Sequence, residues 1–310
     1  MISLTACPFE QIEAINANRV YAHDLRKVTF YVTLANMNAH GLHNNLQIPV
    51  KAKNLSSWLL SQGISSVTTG EIAQIIDTPI NQLSQRMRAL AERNEMVSPA
   101  RGLWIPVSPE YREWGAPEAI TYIDALMNHL GANYYVGWMS AAALLGASHH
   151  ASQVFQVATS KTVQKRVIGR SRINCYTRSN VASLPSFQFK TRTGFAKVST
   201  RAATMLSIAN DTNLTAGLNN AANIIIELSE TDEPYLREIS ECAHLFPMSA
   251  LRRLGWIMDN FTETPSLDDL VCISQASEIK LSKLSMNNAY SGHIDRKWSI
   301  DLNTKIEPDV

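Results

Sequence analysis

The sequence predicts an α/β (α+β) fold class in two parts: a small helical domain closed by a hairpin, then a mixed α/β domain. Three observations carry this expectation. Residues 54–107 read as helix, helix, turn, helix and hairpin, residues 154–199 as a run of short strands, and several amphipathic helices follow up to residue 260. Strands grouped before helices indicate an α/β or α+β domain. The chain has 310 residues, 45% of them hydrophobic and 18% charged, which suffices for two cores and is too apolar for a disordered chain.

Residues 1–53 are expected to form an N-terminal extension of no assignable role. Val28–Leu34 has strand composition, and the Asn/His/Gly-rich stretch to Asn45 reads as a loop. The first domain is expected over residues 54–108. Leu55–Leu60 open a short apolar helix that stops at Gly63. Thr69 is expected to cap a second helix, with Glu71 near its start and Ile72, Ala73, Ile75 and Ile76 as its buried stripe. Asp77-Thr78-Pro79 breaks that helix. Thr78 suits an N-cap and Pro79 a first helical position, where its missing N–H costs nothing. The third helix is then expected to run to about Asn94, with Ile80, Leu83, Met87 and Leu90 on one buried face.

The opposite face of that helix carries Asn81, Gln82, Ser84, Gln85, Arg86, Arg88 and Arg93, and its only acid is Glu92 near the end. Amide, hydroxyl and guanidinium groups are the donors and acceptors that meet base edges and phosphates. Glu95–Ser98 and Leu103–Val107 then form two strands about a turn carrying Arg101. This order is that of a winged helix-turn-helix, whose third helix enters a major groove and whose wing touches the backbone. The competing reading is a three-helix packing module that touches no DNA.

A change of composition after Pro109 places the second domain at residues 109–310. Glu118–Leu130 is expected to be an amphipathic helix, and Tyr134–Gly146 a short strand turning into a small-residue helix. Strands are expected at Val154–Thr159, Val163–Ile168, Arg172–Tyr176, Phe187–Lys190 and Lys197–Ser199. Helices are expected at Thr200–Ala209, Ala216–Leu228, Tyr235–Ala243 and Ser249–Asn260. The longest apolar run, Tyr134–Ala147, has 14 residues, short of the roughly 20 that a spanning helix needs. Met1–Glu10 lacks the pattern of a secretion signal, and Cys7, Cys175, Cys242 and Cys272 are widely spaced. The chain is accordingly expected in the cytoplasm.

The formal net charge of +1 hides a strong asymmetry. Residues 1–150 carry 10 basic and 11 acidic side chains, residues 151–210 carry 10 basic and none acidic, and residues 211–310 carry 8 basic and 16 acidic. An acid-free basic block points to a polyanion, because local potential governs encounter. Lys161, Lys165, Arg166, Arg170, Arg172, Arg178, Lys190 and Arg192 are therefore expected to form one face for nucleic acid or for a partner's substrate. Alternatively these charges balance the acidic end and protect strand edges.

Enzymatic readings find little support. Glu278-Ile279-Lys280, with Asp259, Asp268 or Asp269 upstream, matches half of a nuclease metal site, but its surroundings read as helix or loop. No phosphate loop, dinucleotide fingerprint or nucleophile elbow occurs, and His149-His150 has no further ligands at zinc spacing. The chain is read as a non-enzyme with no cofactor and no metal.

Several stretches resemble one family in order and spacing. They are Arg101–Val107 leading into Pro109–Pro117, Tyr134–Gly137, Ser140–Ala147, Gln153–Val157, Ile168–Arg170, Val198–Thr200, Ala216–Leu218, Gly292–Trp298 and Asn303. Over about residues 55–305 the chain is similar to the AbiEi family of bacterial antitoxins. That resemblance implies an N-terminal winged helix that binds inverted repeats in its own promoter and represses the operon. It further implies a C-terminal domain that counters a nucleotidyltransferase-like toxin encoded next door, with direct binding of the two not the rule. Leu145 stands where relatives are expected to carry a polar or aromatic residue. The alternative is a winged-helix regulator whose C-terminal domain senses a ligand or partner, with no toxin.

Overall fold

The computed structural model describes residues 49–147, 154–230, 235–264, 266–278 and 281–308. The expected Val28–Leu34 strand, His149-His150, Ile279 and Lys280 lie outside the described residues. Helix α1 (Leu55–Ser61) follows a single 3-10 turn, and strand β1 (Val67–Thr68) leads into α2 (Thr69–Ile75). The cap of α2 is Thr68, not Thr69. The Thr68 hydroxyl accepts from the Glu71 amide, and the Glu71 carboxylate accepts from the Thr68 amide at 2.6 Å, a reciprocal capping box. The Thr69 hydroxyl instead accepts the indole N–H of Trp104 at 3.1 Å.

The third helix also starts later than its Thr78-Pro79 signal suggests. Residues Ile80–Gln82 form a 3-10 turn, and α3 spans Leu83–Glu92. Thr78 is no cap: its hydroxyl donates to the Ile76 carbonyl and accepts from Arg86 Nη1 at 2.8 Å. Ile80 opens this 3-10 turn and is 61% exposed, while Leu83, Met87 and Leu90 of the helix proper are buried. Strands β2 (Met96–Ala100) and β3 (Leu103–Pro106) complete an antiparallel sheet in the order β1-β3-β2. The core of this part joins Leu55, Leu59, Ile72, Ile75, Leu83, Met87, Leu90 and Met96.

The β2–β3 hairpin serves two cores. Met96 and Trp104 face the three helices, while Ala100, Leu103 and Ile105 pack on Tyr122, Ile123, Leu126 and Met127 of α4 (Ala119–Leu130). Alternation along a strand sends successive side chains to opposite faces, and here both faces are covered. Ile48–Val310 accordingly clusters as one unit.

The second part is built on a six-stranded mixed sheet. Its strands are β4 (Tyr134–Val136), β5 (Val154–Thr159), β6 (Arg166–Ile168), β7 (Ser171–Thr177), β8 (Ser186–Thr191) and β9 (Gly194–Ser199), in the order β6-β7-β5-β4-β9-β8. β4 shows why both faces are buried. Tyr134 and Val136 join the α4 core, and Tyr135 joins Trp138, Ala158, Val181, Leu184 and Ala203 on the other side. Beyond the sheet lie α5 (Trp138–Leu144), α6 (Arg201–Asn210), α7 (Leu218–Ser229), α8 (Leu236–Cys242), α9 (Met248–Phe261) and α10 (Asp268–Gln275). They enclose the largest apolar cluster, centred on Met205, Leu206, Ile225, Leu251, Leu254 and Ile257. Neither α10 nor the small closing sheet of β10 (Ser282–Lys283), β11 (Ile294–Asp295) and β12 (Ile300–Asp301) follows from the periodicity.

Two buried arginines of α9 fix that closing sheet. Arg253 donates to the carbonyls of Leu284, Lys283 and Ala209, and Arg252 to Ser274 and Ser282. No carboxylate faces Arg253 in these bonds, and burial pulls its guanidinium down to about 10. A turn further on, Gly255 lies under Trp298: a Cβ there would stand 2.1 Å from the ring, so only glycine permits this approach. The Trp298 indole N–H is anchored on Asp259 at 3.1 Å.

Candidate nucleic-acid interface

The exposed side of α3 and its preceding turn presents Asn81, Gln82, Ser84, Gln85, Arg86 and Arg88. Among the described residues, the side chains of Asn81, Gln82, Ser84 and Gln85 make no hydrogen bond within the protein, so their donors and acceptors face solvent. The two arginines differ from them. Arg86 is tethered by one nitrogen to Thr78, and Arg88 pairs with Glu92 at 3.0 Å across one helical turn. Arg93 likewise pairs with Glu95 at 3.0 Å. Exposed pairs of this kind contribute little to stability and exchange readily for phosphate.

The β2–β3 turn is tight, and its backbone is held from both sides. The Gly102 carbonyl accepts from the Thr69 amide at 2.9 Å, and the Arg101 carbonyl lies 3.0 Å from Nε2 of His129 on α4. The exposed Arg101 side chain is left to reach outward. Lys51 and Lys53, exposed in the 3-10 turn before α1, add two cations that the helix pattern did not single out. Ile80, exposed beside Asn81 and Gln82, is a further missed residue. The period of an α-helix hid it among core positions.

The eight basic residues of the central block do not form one face. Lys161 and Lys165 are exposed in the loop after β5, Arg166 is half-buried on β6, Arg170 sits in the β6–β7 turn, and Arg172 is on β7. These five gather at one edge of the sheet. Lys190 and Arg192 lie on β8 and its turn at the opposite edge, five strand spacings or roughly 24 Å away. Arg192 faces Glu110 at 3.4 Å. Arg178 serves packing: it pairs with Asp211 at 2.9 Å and stands 5.2 Å over the Trp138 ring. Asp211 also accepts the Trp138 indole N–H at 3.0 Å. The pair steadies Trp138, whose φ of 49° is costly for a bulky side chain. Sequence adjacency brought these cations together; the crossovers of the sheet separate them.

The enzymatic candidates gain nothing from the fold. Asp259 is occupied by Lys297 at 2.6 Å and by Trp298, and no group of three potential metal ligands occurs among the described residues. No helix among them is long and apolar enough to cross a membrane.

Comparison with known proteins places the second part of the chain. Residues 135–260 match the family model of the AbiEi antitoxin C-terminal domain. No curated protein matches the sequence. The crystal structure of the RV2827C protein from Mycobacterium tuberculosis is similar, with a TM-score of 0.57 and 13% identity. The match covers 80% of this chain and 90% of that one. At that identity the likeness is one of fold.

Proposed function

Since the chain carries the AbiEi antitoxin C-terminal domain at residues 135–260, we propose that it is a DNA-binding autorepressor and antitoxin. It acts in the bacterial cytoplasm, binds inverted repeats in its own promoter, and opposes a nucleotidyltransferase-like toxin encoded in the same operon. The observation that carries the DNA-binding half is the solvent-facing row Asn81, Gln82, Ser84 and Gln85, without hydrogen-bond partners among the described residues and flanked by Arg86 and Arg88. Such a row at the start of the third helix suits base-edge readout, with Arg101, Lys51 and Lys53 on phosphates. The domain pair itself does no chemistry in this reading: it occupies DNA and neutralises a partner.

The test is operator binding by the intact chain and by Gln85→Ala and Arg86→Ala, measured across a salt series. Loss of a base contact costs about 1–3 kcal/mol, roughly five- to two-hundredfold in affinity, and relaxes preference at one base position. Lys53→Ala instead lowers affinity for all sequences and flattens the salt dependence. Equal affinity of the wild type for operator and unrelated DNA, with no effect of either helix variant, refutes the assignment.

A ligand-sensing regulator is the second reading. It is favoured by a cavity of about 200 Å³ where the first part meets the second, lined by Leu60, Ile64, Ile105, Tyr111, Thr121 and Arg192. A small apolar effector held there would bear on the hairpin shared by both cores.

A further inference from the structure

A second cavity, of about 310 Å³, opens beside the β6–β7 edge and belongs to neither the α3 surface nor the seam. Its wall combines Trp114, Phe155, Glu118, Arg170 and Arg172 with the small residues Ala116, Pro117 and Ala119. Trp114 is 51% exposed although it is among the largest apolar side chains of the fold. One side of it meets Tyr111 edge-on, with ring centroids 6.1 Å apart. Among the described residues the guanidinium groups of Arg170 and Arg172 have no ion pair and no hydrogen bond.

The backbone holds these groups together tightly. The Arg170 amide donates to the Trp114 carbonyl at 2.8 Å. Gly169, at φ 56°, lies so close that a Cβ would stand 2.2 Å from that same carbonyl. Trp114 and Arg170, 56 positions apart in sequence, are thus fixed side by side by their main chains. A rigid, half-exposed indole next to two unpaired guanidinium groups has no role in packing that explains its exposure.

We propose that this cavity binds one nucleotide unit. The Trp114 ring supplies a face on which any base stacks, and Arg170 and Arg172 meet the phosphate. The Glu118 carboxylate, which accepts from the Tyr111 hydroxyl at 3.3 Å, is repulsive to phosphate but well suited to ribose hydroxyls or base N–H donors. That mixture of aromatic face, cations and one acid separates a nucleotide from a bare phosphate. The volume lies at the lower end of small-molecule pockets and accommodates a single unit. The unit comes either from a free nucleotide or from an unpaired position of a single-stranded RNA, and the site is independent of operator binding by α3.

The experiment uses the full chain with two probes: fluorescent purine nucleotides and a labelled short single-stranded RNA. Trp114→Ala and Arg170→Glu each weaken binding roughly ten- to hundredfold, and Trp114→Phe restores most of it, because stacking survives in a smaller ring. Both positions are exposed, so thermal unfolding of the variants stays unchanged, and their operator affinity does too. Binding of the nucleotide alone identifies a free ligand, and binding of the RNA alone identifies a unit within a strand; either supports the site. No binding of either probe overturns it. Binding equally strong in Trp114→Ala also overturns it and reduces the edge to a general polyanion surface.

Discussion

At the scale of single residues, the fold distinguishes cations that a charge count treats alike. Arg178 holds Asp211 and covers Trp138, whereas the exposed Arg170 has no ion pair among the described residues. Arg178→Ala should therefore lower stability by roughly 1–2 kcal/mol, from a partly exposed ion pair plus a cation–π contact. Arg170→Ala should stay within about 0.5 kcal/mol of wild type. Denaturant unfolding of the two variants measures this directly, and equal loss in both contradicts the division of labour. The same scale shows where sequence was read well and where it was not. Asn81, Gln82, Ser84 and Gln85 were legible, because helix periodicity alone puts them opposite Leu83, Met87 and Leu90. Ile80 was misplaced because it lies in a 3-10 turn ahead of the helix, and nothing in Thr78-Pro79 distinguishes that turn from an α-helical start. Thr68 and Thr69 are both competent caps; the three-residue spacing to Glu71 selects Thr68, and the Thr69 hydroxyl is taken by the indole of Trp104.

At the scale of elements, the hairpin β2–β3 is the decisive piece. Its pattern announced two strands correctly but could not say that both faces are covered. Leu103 and Ile105 look like ordinary strand residues, yet their partners Tyr122, Ile123 and Leu126 come from α4. A fragment ending at the boundary near residue 108, set by the change in composition, would strip those partners away. Residues 49–108 expressed alone should bind hydrophobic dyes and self-associate. A fragment extended through α4 to residue 131 still lacks the sheet and should remain less stable than the intact chain. A monomeric, cooperatively unfolding 49–108 fragment would contradict the shared core. The sheet order was likewise beyond sequence. All six strands were legible from composition, but their crossovers set Lys190 and Arg192 at one edge and Arg170 and Arg172 at the other. The closing sheet β10–β12 was missed because two-residue strands carry no periodicity, and its anchor Arg253 binds backbone carbonyls of any sequence.

At the scale of the whole molecule, the acid-free block resolves into one basic edge beside a cavity of about 310 Å³, Lys190 and Arg192 at the opposite edge, and Arg178 paired within the fold. The acidic C-terminal hundred residues do not neutralise Lys161, Lys165, Arg170 or Arg172 by ion pairs among the described residues. Buried titratable groups also give the fold a distinct alkaline limit. Burial raises the Tyr122 and Tyr135 hydroxyls to about 12 and the Cys242 thiol to about 12, from ordinary values of 10.0 and 9.0. The folded state keeps these protons when the unfolded chain has lost them. Their contribution is thus complete below pH 9 and declines as pH rises toward 12. Arg253, lowered from 12.5 to about 10, works in the opposite sense above pH 10 but is one group against several. Urea midpoints should fall steadily from pH 8.5 to pH 11; a flat or rising profile would place the tyrosines in contact with water.

The central claim is that α3 and the AbiEi antitoxin C-terminal domain serve one antitoxin. Its most direct test is co-expression of this chain with the protein encoded next to it, scoring growth with and without the chain. The account predicts that the neighbour arrests growth and that the intact chain restores it. It further predicts that Arg86→Ala still rescues when expressed from an unrelated promoter, because repression and antitoxicity reside in different parts. A harmless neighbour, or an arrest that the intact chain does not relieve, would contradict the antitoxin claim and leave a DNA-binding regulator.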